Sequence, residues 1–252
     1  MLDFDAPIPS RNEPVWAEVG AVPIRDDGEP LLPLGLCRGL DVWPAYRHYD
    51  VPGALSECYV RASVLERLLI AGRSLPAGLR LVVLDAWRPL EVQAYLHRCV
   101  TRLVSERDAS IGMQERDAAV RQFVAPPQAS RAPSPHLTGG AVDVSLCDAE
   151  GRFLDMGTPF DAVTDASAIA WYEANGIDDA KSGPARRHRR LLHGVMTSAG
   201  FSSLPSEWWH YDFGNQLWAW NMGQPTARYG AVELALPDTL KVARGPRRFG
   251  AN

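Results

Sequence analysis

The sequence has no long run of apolar residues and no long run of basic residues. No window approaches the roughly 18 apolar residues that a membrane-spanning helix requires. The formal net charge of -4 argues against a nucleic-acid-binding surface. The locally basic stretch 241–248 is expected to face water, as charge runs usually do. We therefore expect partners that are neither membranes nor nucleic acids.

Cysteine is scarce, and the spacing of its four copies is irregular. The cysteines form no CxxC motif and no short pair, which favours reduced thiols over a disulfide framework and over metal ligation. The first residues are acidic and proline-containing, without the basic start and apolar run of a secretory signal. Together these features predict a cytoplasmic protein.

The composition supplies ample material for a hydrophobic core. The chain has 252 residues, of which 46% are hydrophobic and 22% are charged, as in ordinary globular proteins. We predict one domain over residues 1–252. Residues 1–57 are rich in proline and glycine and are expected to wrap the core as extended segments, with at most short strands at 16–24. Residues 230–252 are expected to form a C-terminal tail.

Helical and strand-like patterns alternate irregularly along the rest of the chain. Helical spacing of apolar residues or helix-favouring composition predicts helices over 59–75, 89–103, 114–123 and 184–199. Strands are predicted at 81–84, 141–146 and 208–213, with Asp143 on the opposite face from Val142 and Val144. Because no regular βαβ rhythm appears, we predict an α+β fold with a central, mostly antiparallel sheet flanked by helices.

The first chemical motif is SPHLTGGAVD at 134–143. Its two glycines allow a tight turn between a loop histidine, His136, and a strand aspartate, Asp143, which can bring both side chains toward one point. The alternative is a solvent-facing histidine beside an ordinary Gly-Gly turn.

The second motif is Glu207-Trp-Trp-His210, where an acid and a base lie among aromatic residues. Charge in such a place is costly unless a metal or hydrogen bonds compensate it. Positions i and i+3 of a straight strand point to opposite faces. If both side chains serve one site, Glu207 must lie before the regular strand begins, or the strand must bend there. The alternative is an edge strand with aromatic packing and two solvated polar residues.

Taken together, the two motifs provide the groups of a catalytic zinc site. Such a site needs three protein ligands, an open position for water and a carboxylate that accepts the proton of that water. His136, Asp143 and His210 can be the ligands. Glu207 can be the base.

Two further segments carry candidate functional residues. Arg88 follows a predicted strand in DAWRP, where it can hydrogen-bond a developing oxyanion or form a surface salt bridge with Asp85 or Glu91. Asp161 lies in the turn segment MGTPFD, where it can bind a substrate ammonium or cap a turn.

The chain resembles the D-alanyl-D-alanine dipeptidases of the VanX type. SPHLTGGAVD, LDMGTPFD, an arginine- and leucine-rich helix ending in MTSAGF, and EWWHY occur in the same order and approximate spacing. The similarity extends over residues 59–229. The resemblance implies a zinc peptidase whose fold is shared with zinc D,D-carboxypeptidases and is similar to the hedgehog signalling domain.

The same resemblance implies roles for individual residues. His136, Asp143 and His210 would bind one zinc ion per chain, Glu207 would be general base and acid, and Arg88 would steady the tetrahedral intermediate. Asp161 and Ser134 would receive the free amino group of the dipeptide.

The expected activity is therefore zinc-dependent hydrolysis of D-alanyl-D-alanine, or a similar short D,D-dipeptide, to free amino acids. The first alternative is a peptidoglycan D,D-carboxypeptidase or endopeptidase with the same zinc site. The second is a non-catalytic, zinc-stabilised binding module, against which the presence of both Glu207 and Arg88 argues, since a structural site needs neither.

Overall fold

A computed structural model of the chain describes residues 3–121, 124, 127, 132–175 and 179–234. The strands of the described part are β1 (Leu31–Pro33), β2 (Asp41–Val42), β3 (Tyr59–Arg61), β4 (Leu79–Asp85), β5 (Ala141–Asp148), β6 (Ser202–Leu204) and β7 (Glu207–Asp212). Its α-helices are α1 (Trp16–Ala21), α2 (Ala45–His48), α3 (Ala62–Arg73), α4 (Leu90–Arg107), α5 (Met113–Arg121), α6 (Trp171–Ala174), α7 (Asp179–Ser198) and α8 (Gln216–Asn221). Short 3₁₀ helices span Pro135–Thr138 and Asp165–Ser167.

The architecture is organised by a sheet of five strands in the order β2-β4-β5-β7-β6. Only β2 and β4 pair in parallel, whereas the other three pairings are antiparallel. A separate antiparallel pair joins β1 and β3. The predicted α+β fold with a central, mostly antiparallel sheet and flanking helices is thus confirmed.

One face of the sheet is closed by α3 and α7. The alternate residues Val142, Val144 and Leu146 of β5 lie in the same buried cluster as Leu192 and Met196 of α7. Full burial of such side chains stabilises the fold by about 1.5–3 kcal/mol each. Asp143 lies on the other face, as the alternation along this strand predicts.

The other face of the sheet is only partly covered, by α2, α4 and α5. Residues of these helices form a second cluster together with Val124, and the buried members of the cluster are Tyr46, Val92, Leu96, Val104, Val120 and Val124. The uncovered part of this face opens into a pocket that contains Asp143 and His210. The fold therefore presents a polar pocket on one face of a sheet whose other face is packed.

One predicted element is wrong, and one predicted helix begins later than expected. The stretch 16–24, expected to contain short strands, begins with α1, in which Val19 alone is buried and packs beside Leu204 and Leu217. The helix expected from position 59 begins only at Ala62, because the backbone of Tyr59–Arg61 pairs with β1.

The start of α4 and the end of α7 follow local chemistry, whereas α7 begins at Asp179 and not at the predicted position 184, so that Pro184 lies inside the helix. Pro89 precedes the first residue of α4, where its missing N–H group costs nothing, and α7 is followed by Gly200 with a left-handed φ of 92°. The predicted helix over 114–123 corresponds to α5, and its last two positions and the basic stretch 241–248 lie outside the described residues. None of the helices in the described ranges has the length and apolarity needed to cross a bilayer.

A buried arginine ties α7 to the loop that contains Asp161. Arg189 donates to the carbonyl oxygens of Met156, Ala168 and Ala166 at 2.7–2.8 Å. Burial lowers the pKa of Arg189 to about 10, so the guanidinium stays charged at neutral pH. The three hydrogen bonds hold both ends of the loop against the helix.

We expect Arg189→Met to lower the free energy of unfolding by about 3–5 kcal/mol, because three buried carbonyl groups lose their donor. Arg187→Met, on the exposed side of the same helix, should change it by less than about 0.5 kcal/mol. Denaturant unfolding measures both values, and equal midpoints for the two variants would contradict the assignment.

Candidate metal centre and active site

Three charged side chains form one row across the central strands. The strand register places Asp85 of β4 opposite Asp143 of β5, and Asp143 opposite His210 of β7. Residues that are directly opposite in neighbouring strands lie on the same face of a sheet. The row is therefore a direct consequence of the pairing of β4, β5 and β7.

His136 reaches this row from the 3₁₀ helix that precedes β5. Gly139 follows that helix with a left-handed φ of 71°, and Gly140 donates its N–H to Thr138 Oγ1 at 3.0 Å. Phe213 in turn donates its N–H to the carbonyl oxygen of Gly140 at 2.7 Å. The Gly-Gly turn predicted from sequence thus folds His136 back over the start of β5.

His136, Asp143 and His210 form a group that could hold a metal ion. His136 Nε2 lies 3.2 Å from His210 Nδ1, and Asp143 Oδ1 lies 3.2 Å from His210 Nδ1 and 3.4 Å from His136 Nε2. All three side chains are buried. Of the six histidines in the chain, these two are the pair that the motif analysis selected.

Each histidine ring is held through its second nitrogen. His136 Nδ1 lies 2.8 Å from the carbonyl oxygen of Ala86, and His210 Nε2 lies 3.1 Å from Asp212 Oδ2. An N–H that donates to such an acceptor leaves the other ring nitrogen free as a ligand. Asn215 donates to Asp212 Oδ1 at 2.6 Å and so fixes the carboxylate that orients His210.

Glu207 lies next to the three-residue group because β7 is irregular. The register between β6 and β7 shifts between Ser203 and Leu204, so Leu204 pairs with Glu207 while Ser203 pairs with Tyr211. The predicted bend is therefore present, and Glu207 Oε2 lies 3.9 Å from His210 Nδ1. Burial and the charge of Asp143 raise the pKa of Glu207 to about 8, although the positive charge of His210 opposes the shift.

Arg88 is buried at the floor of the pocket and is held by several acceptors. Its Nε donates to Asp85 Oδ2 at 2.9 Å and its Nη1 to Gln93 Oε1 at 2.9 Å. Its Nη2 lies 3.2 Å from Asp143 Oδ2, and the guanidinium carbon lies 4.9 Å from the ring centre of Tyr46. Of the two alternatives from sequence, the salt bridge with Asp85 is present, but it is buried and not at the surface, because Arg88 is only 7% exposed.

The pocket also contains Asp161 and Ser134, both predicted from sequence. Asp161 adopts a left-handed backbone conformation with φ of 63°, which is unusual for a residue other than glycine and typical of functional sites. Although the residue as a whole is exposed, desolvation of its carboxyl group raises the pKa of Asp161 to about 7, against the effect of Arg88. Ser134 is buried beside the 3₁₀ helix.

The electrostatics of the site favour a bound cation. The neighbouring carboxyl groups are those of Asp85, Asp143, Asp161 and Glu207, with Arg88 as the permanently charged partner in their midst. Burial opposes ionisation of Asp143, yet His136 and His210 hold the pKa of Asp143 well below its usual value. Several carboxyl groups around one arginine favour a further positive charge, which a divalent metal would supply.

Three residues of the site were missed in the motif analysis. Asp212 lies two positions after His210 on the same strand, and the period of two could have placed it beside the histidine ring. Asn215 accepts the N–H of Trp218 at the start of α8 as well as donating to Asp212. Tyr46 belongs to the N-terminal region, and nothing in the local sequence connects it with Arg88.

Gly140→Ala should disrupt the site, because its added Cβ would lie 2.5 Å from the carbonyl oxygen of Phe213. The pairing of β5 with β7 must then shift, and with it Asp143 and His210. We expect metal affinity to fall by about 10-fold or more and the free energy of unfolding to fall by about 1–3 kcal/mol.

Gly194→Ala on α7 is the matched control, since no atom lies within 4 Å of its added Cβ. It should keep full metal affinity and stability. Metal titration monitored by calorimetry measures both variants, and an unaltered affinity in Gly140→Ala would contradict the proposed dependence of the site on this turn.

Comparisons with known proteins agree with the geometry. The sequence model of the peptidase M15 family, described as D-ala-D-ala dipeptidase, matches residues 53–228. The chain is 34% identical to a D-alanyl-D-alanine dipeptidase of Synechocystis sp., over 84% of this chain and 96% of that relative. It is 31% identical to the enzyme of that name from Escherichia coli K12, over 54% of this chain and 56% of the relative. The similarity to a relative of the same name from Enterococcus faecalis is 35% identity over 31% of this chain and 36% of that protein.

Proposed function

This chain belongs to the D-Ala-D-Ala dipeptidase family of metallopeptidases, and we propose that it hydrolyses D-alanyl-D-alanine, or a similar short D,D-dipeptide, with one zinc ion. His136, Asp143 and His210 are the proposed ligands. Glu207 and Arg88 are the proposed catalytic residues, and Asp161 and Ser134 the proposed substrate-binding residues. The motif resemblance found in the sequence is confirmed by the family match.

The distances among the three proposed ligand atoms are the main support for a zinc site. In a tetrahedral zinc site with bonds of about 2.0–2.1 Å, neighbouring ligand atoms lie about 3.3–3.4 Å apart. The distances between His136 Nε2, Asp143 Oδ1 and His210 Nδ1 are 3.2, 3.2 and 3.4 Å. Two imidazoles and one carboxylate also match the donor set of catalytic zinc sites, which keep a fourth position open. When bound, zinc supplies a Lewis acid that polarises a carbonyl group and lowers the pKa of water toward about 7.

The position and the pKa of Glu207 support its proposed role as general base and acid. Its carboxylate lies beside His210 without being one of the three proposed ligands. A carboxyl group with a pKa near neutrality can accept a proton from water and later return it to the leaving amine. The side chain is only 13% exposed, so competing proton exchange with bulk water is restricted.

The contacts of Arg88 support its proposed role, which is to stabilise negative charge on the carbonyl oxygen of the scissile amide. Its contacts with Asp85 and Gln93 fix the guanidinium, and Asp143 brings it next to the proposed ligands. Donors that are fixed before the reaction stabilise a developing oxyanion without reorganisation, and removal of one such donor typically costs about 100-fold to 1,000-fold in rate.

The charged groups that line the pocket suit a free dipeptide better than a longer peptide. Asp161 can pair with the free ammonium of a dipeptide. A longer peptide has no ammonium at that position, and its binding would leave the carboxylate unpaired.

The alternative of a wall carboxypeptidase or endopeptidase requires a longer peptide, whose binding would leave Asp161 without an ammonium partner. Comparing hydrolysis of the free dipeptide with that of a pentapeptide stem decides between the two substrates. The cytoplasmic location stays a prediction of the sequence.

Glu207→Gln should keep zinc and lose about 100-fold to 10,000-fold in kcat, because the amide cannot accept the proton of the attacking water. Asp143→Ala should instead lose zinc, because one of three ligands is removed. Zinc content by mass spectrometry and release of D-alanine from D-alanyl-D-alanine measure the two effects separately. Parent-level turnover by Glu207→Gln would remove Glu207 from the mechanism, and full zinc occupancy in Asp143→Ala would overturn the ligand set.

A further inference from the structure

Two arginines line the pocket, and only one of them is engaged by the site. Arg88 lies at the floor, where Asp85, Gln93 and Asp143 accept its hydrogen bonds. Arg121 reaches the pocket from the end of α5 and is exposed. The pocket thus has a buried, paired arginine at its base and an exposed arginine at its rim.

The charge of Arg121 is not neutralised by the acids around it. Asp117 lies one turn earlier on the same helix, but it forms an ion pair with Arg116, at 4.0 Å. Within the part of the chain that the structure describes, no acidic side chain forms an ion pair with Arg121. An exposed, unpaired guanidinium at the edge of a pocket can bind a carboxylate without first breaking another interaction.

The proposed substrate carries a carboxylate that the rest of the pocket would repel. A free dipeptide has an ammonium at one end and a carboxylate at the other. Asp161 suits the ammonium, whereas Asp143 and Glu207 put further acidic groups in the pocket wall. Arg88 is held between Asp85 and Asp143, where it faces the reacting centre. Of the two arginines in the pocket lining, Arg121 is therefore the one that is available to bind the terminal carboxylate of the dipeptide.

We infer that Arg121 binds the terminal carboxylate of the dipeptide and so selects substrates with a free C-terminus, an inference that rests on the proposed function. The planar guanidinium presents paired N–H donors that match the two oxygens of a carboxylate. Together with Asp161, this residue would measure the dipeptide from both ends. A peptide that continues beyond the second residue would lose the interaction.

The test compares two substrates, D-alanyl-D-alanine and its C-terminal amide, across three variants. Arg121→Gln should raise KM for the free acid by about 10-fold to 100-fold, the range for a charge-assisted hydrogen bond, while kcat changes by less than about 3-fold. The amide should be hydrolysed equally by the parent and by Arg121→Gln, because it has no terminal carboxylate that Arg121 could bind. Arg121→Lys should recover part of the affinity for D-alanyl-D-alanine, because lysine keeps the positive charge but lacks the paired N–H donors of the guanidinium.

Arg102→Gln is the matched control, because Arg102 is exposed on α4 and pairs with Glu106 at 3.8 Å. It should leave both substrates unchanged. Equal kinetic constants for the parent and Arg121→Gln, or the same loss for acid and amide, would overturn the inference while leaving the proposed function intact. A parent enzyme that hydrolyses neither substrate would overturn the proposed function and this inference with it.

Discussion

The backbone register between β5 and β7 places Asp143 directly opposite His210, and the rest of the site is assembled around that pair. The next pairing, between β4 and β5, adds Asp85 to the same row. Strand register is set by backbone hydrogen bonds and by the burial of α3 and α7 on the opposite face, so it cannot slip by one residue without exposing the core. The relative positions of the site residues are therefore fixed by the pairing and packing of the sheet.

The same row concentrates negative charge in a poorly hydrated place. Arg88 offsets part of this negative charge through its ion pairs with Asp85 and Asp143. Asp212 orients His210 through a contact with Nε2 of the ring. Carboxylates that stay ionised when buried need cations or several hydrogen bonds. Three ligand atoms at tetrahedral spacing within this acidic environment are what a divalent metal requires. We propose that a bound metal ion balances the negative charge of these carboxylates.

Local chemistry predicted much of this arrangement from sequence. Periodicity identified α4, α7 and the strands β4, β5 and β7, and strand parity required the bend that brings Glu207 toward His210. The N-terminal region was predicted poorly, because the single buried residue of α1 leaves no periodic signal. Tyr46 and the row formed with Asp85 depend on tertiary contacts and register, which a single sequence does not encode in any local pattern.

The central claim is that one zinc ion at His136, Asp143 and His210 makes this chain a dipeptidase. The most direct measurement is a zinc titration of chelator-treated protein, followed by release of D-alanine from D-alanyl-D-alanine at each step. The account predicts that metal-free protein is inactive and that activity rises linearly to a plateau at one zinc per chain. Full activity in the metal-free protein, or no activity at one bound zinc per chain, would contradict it.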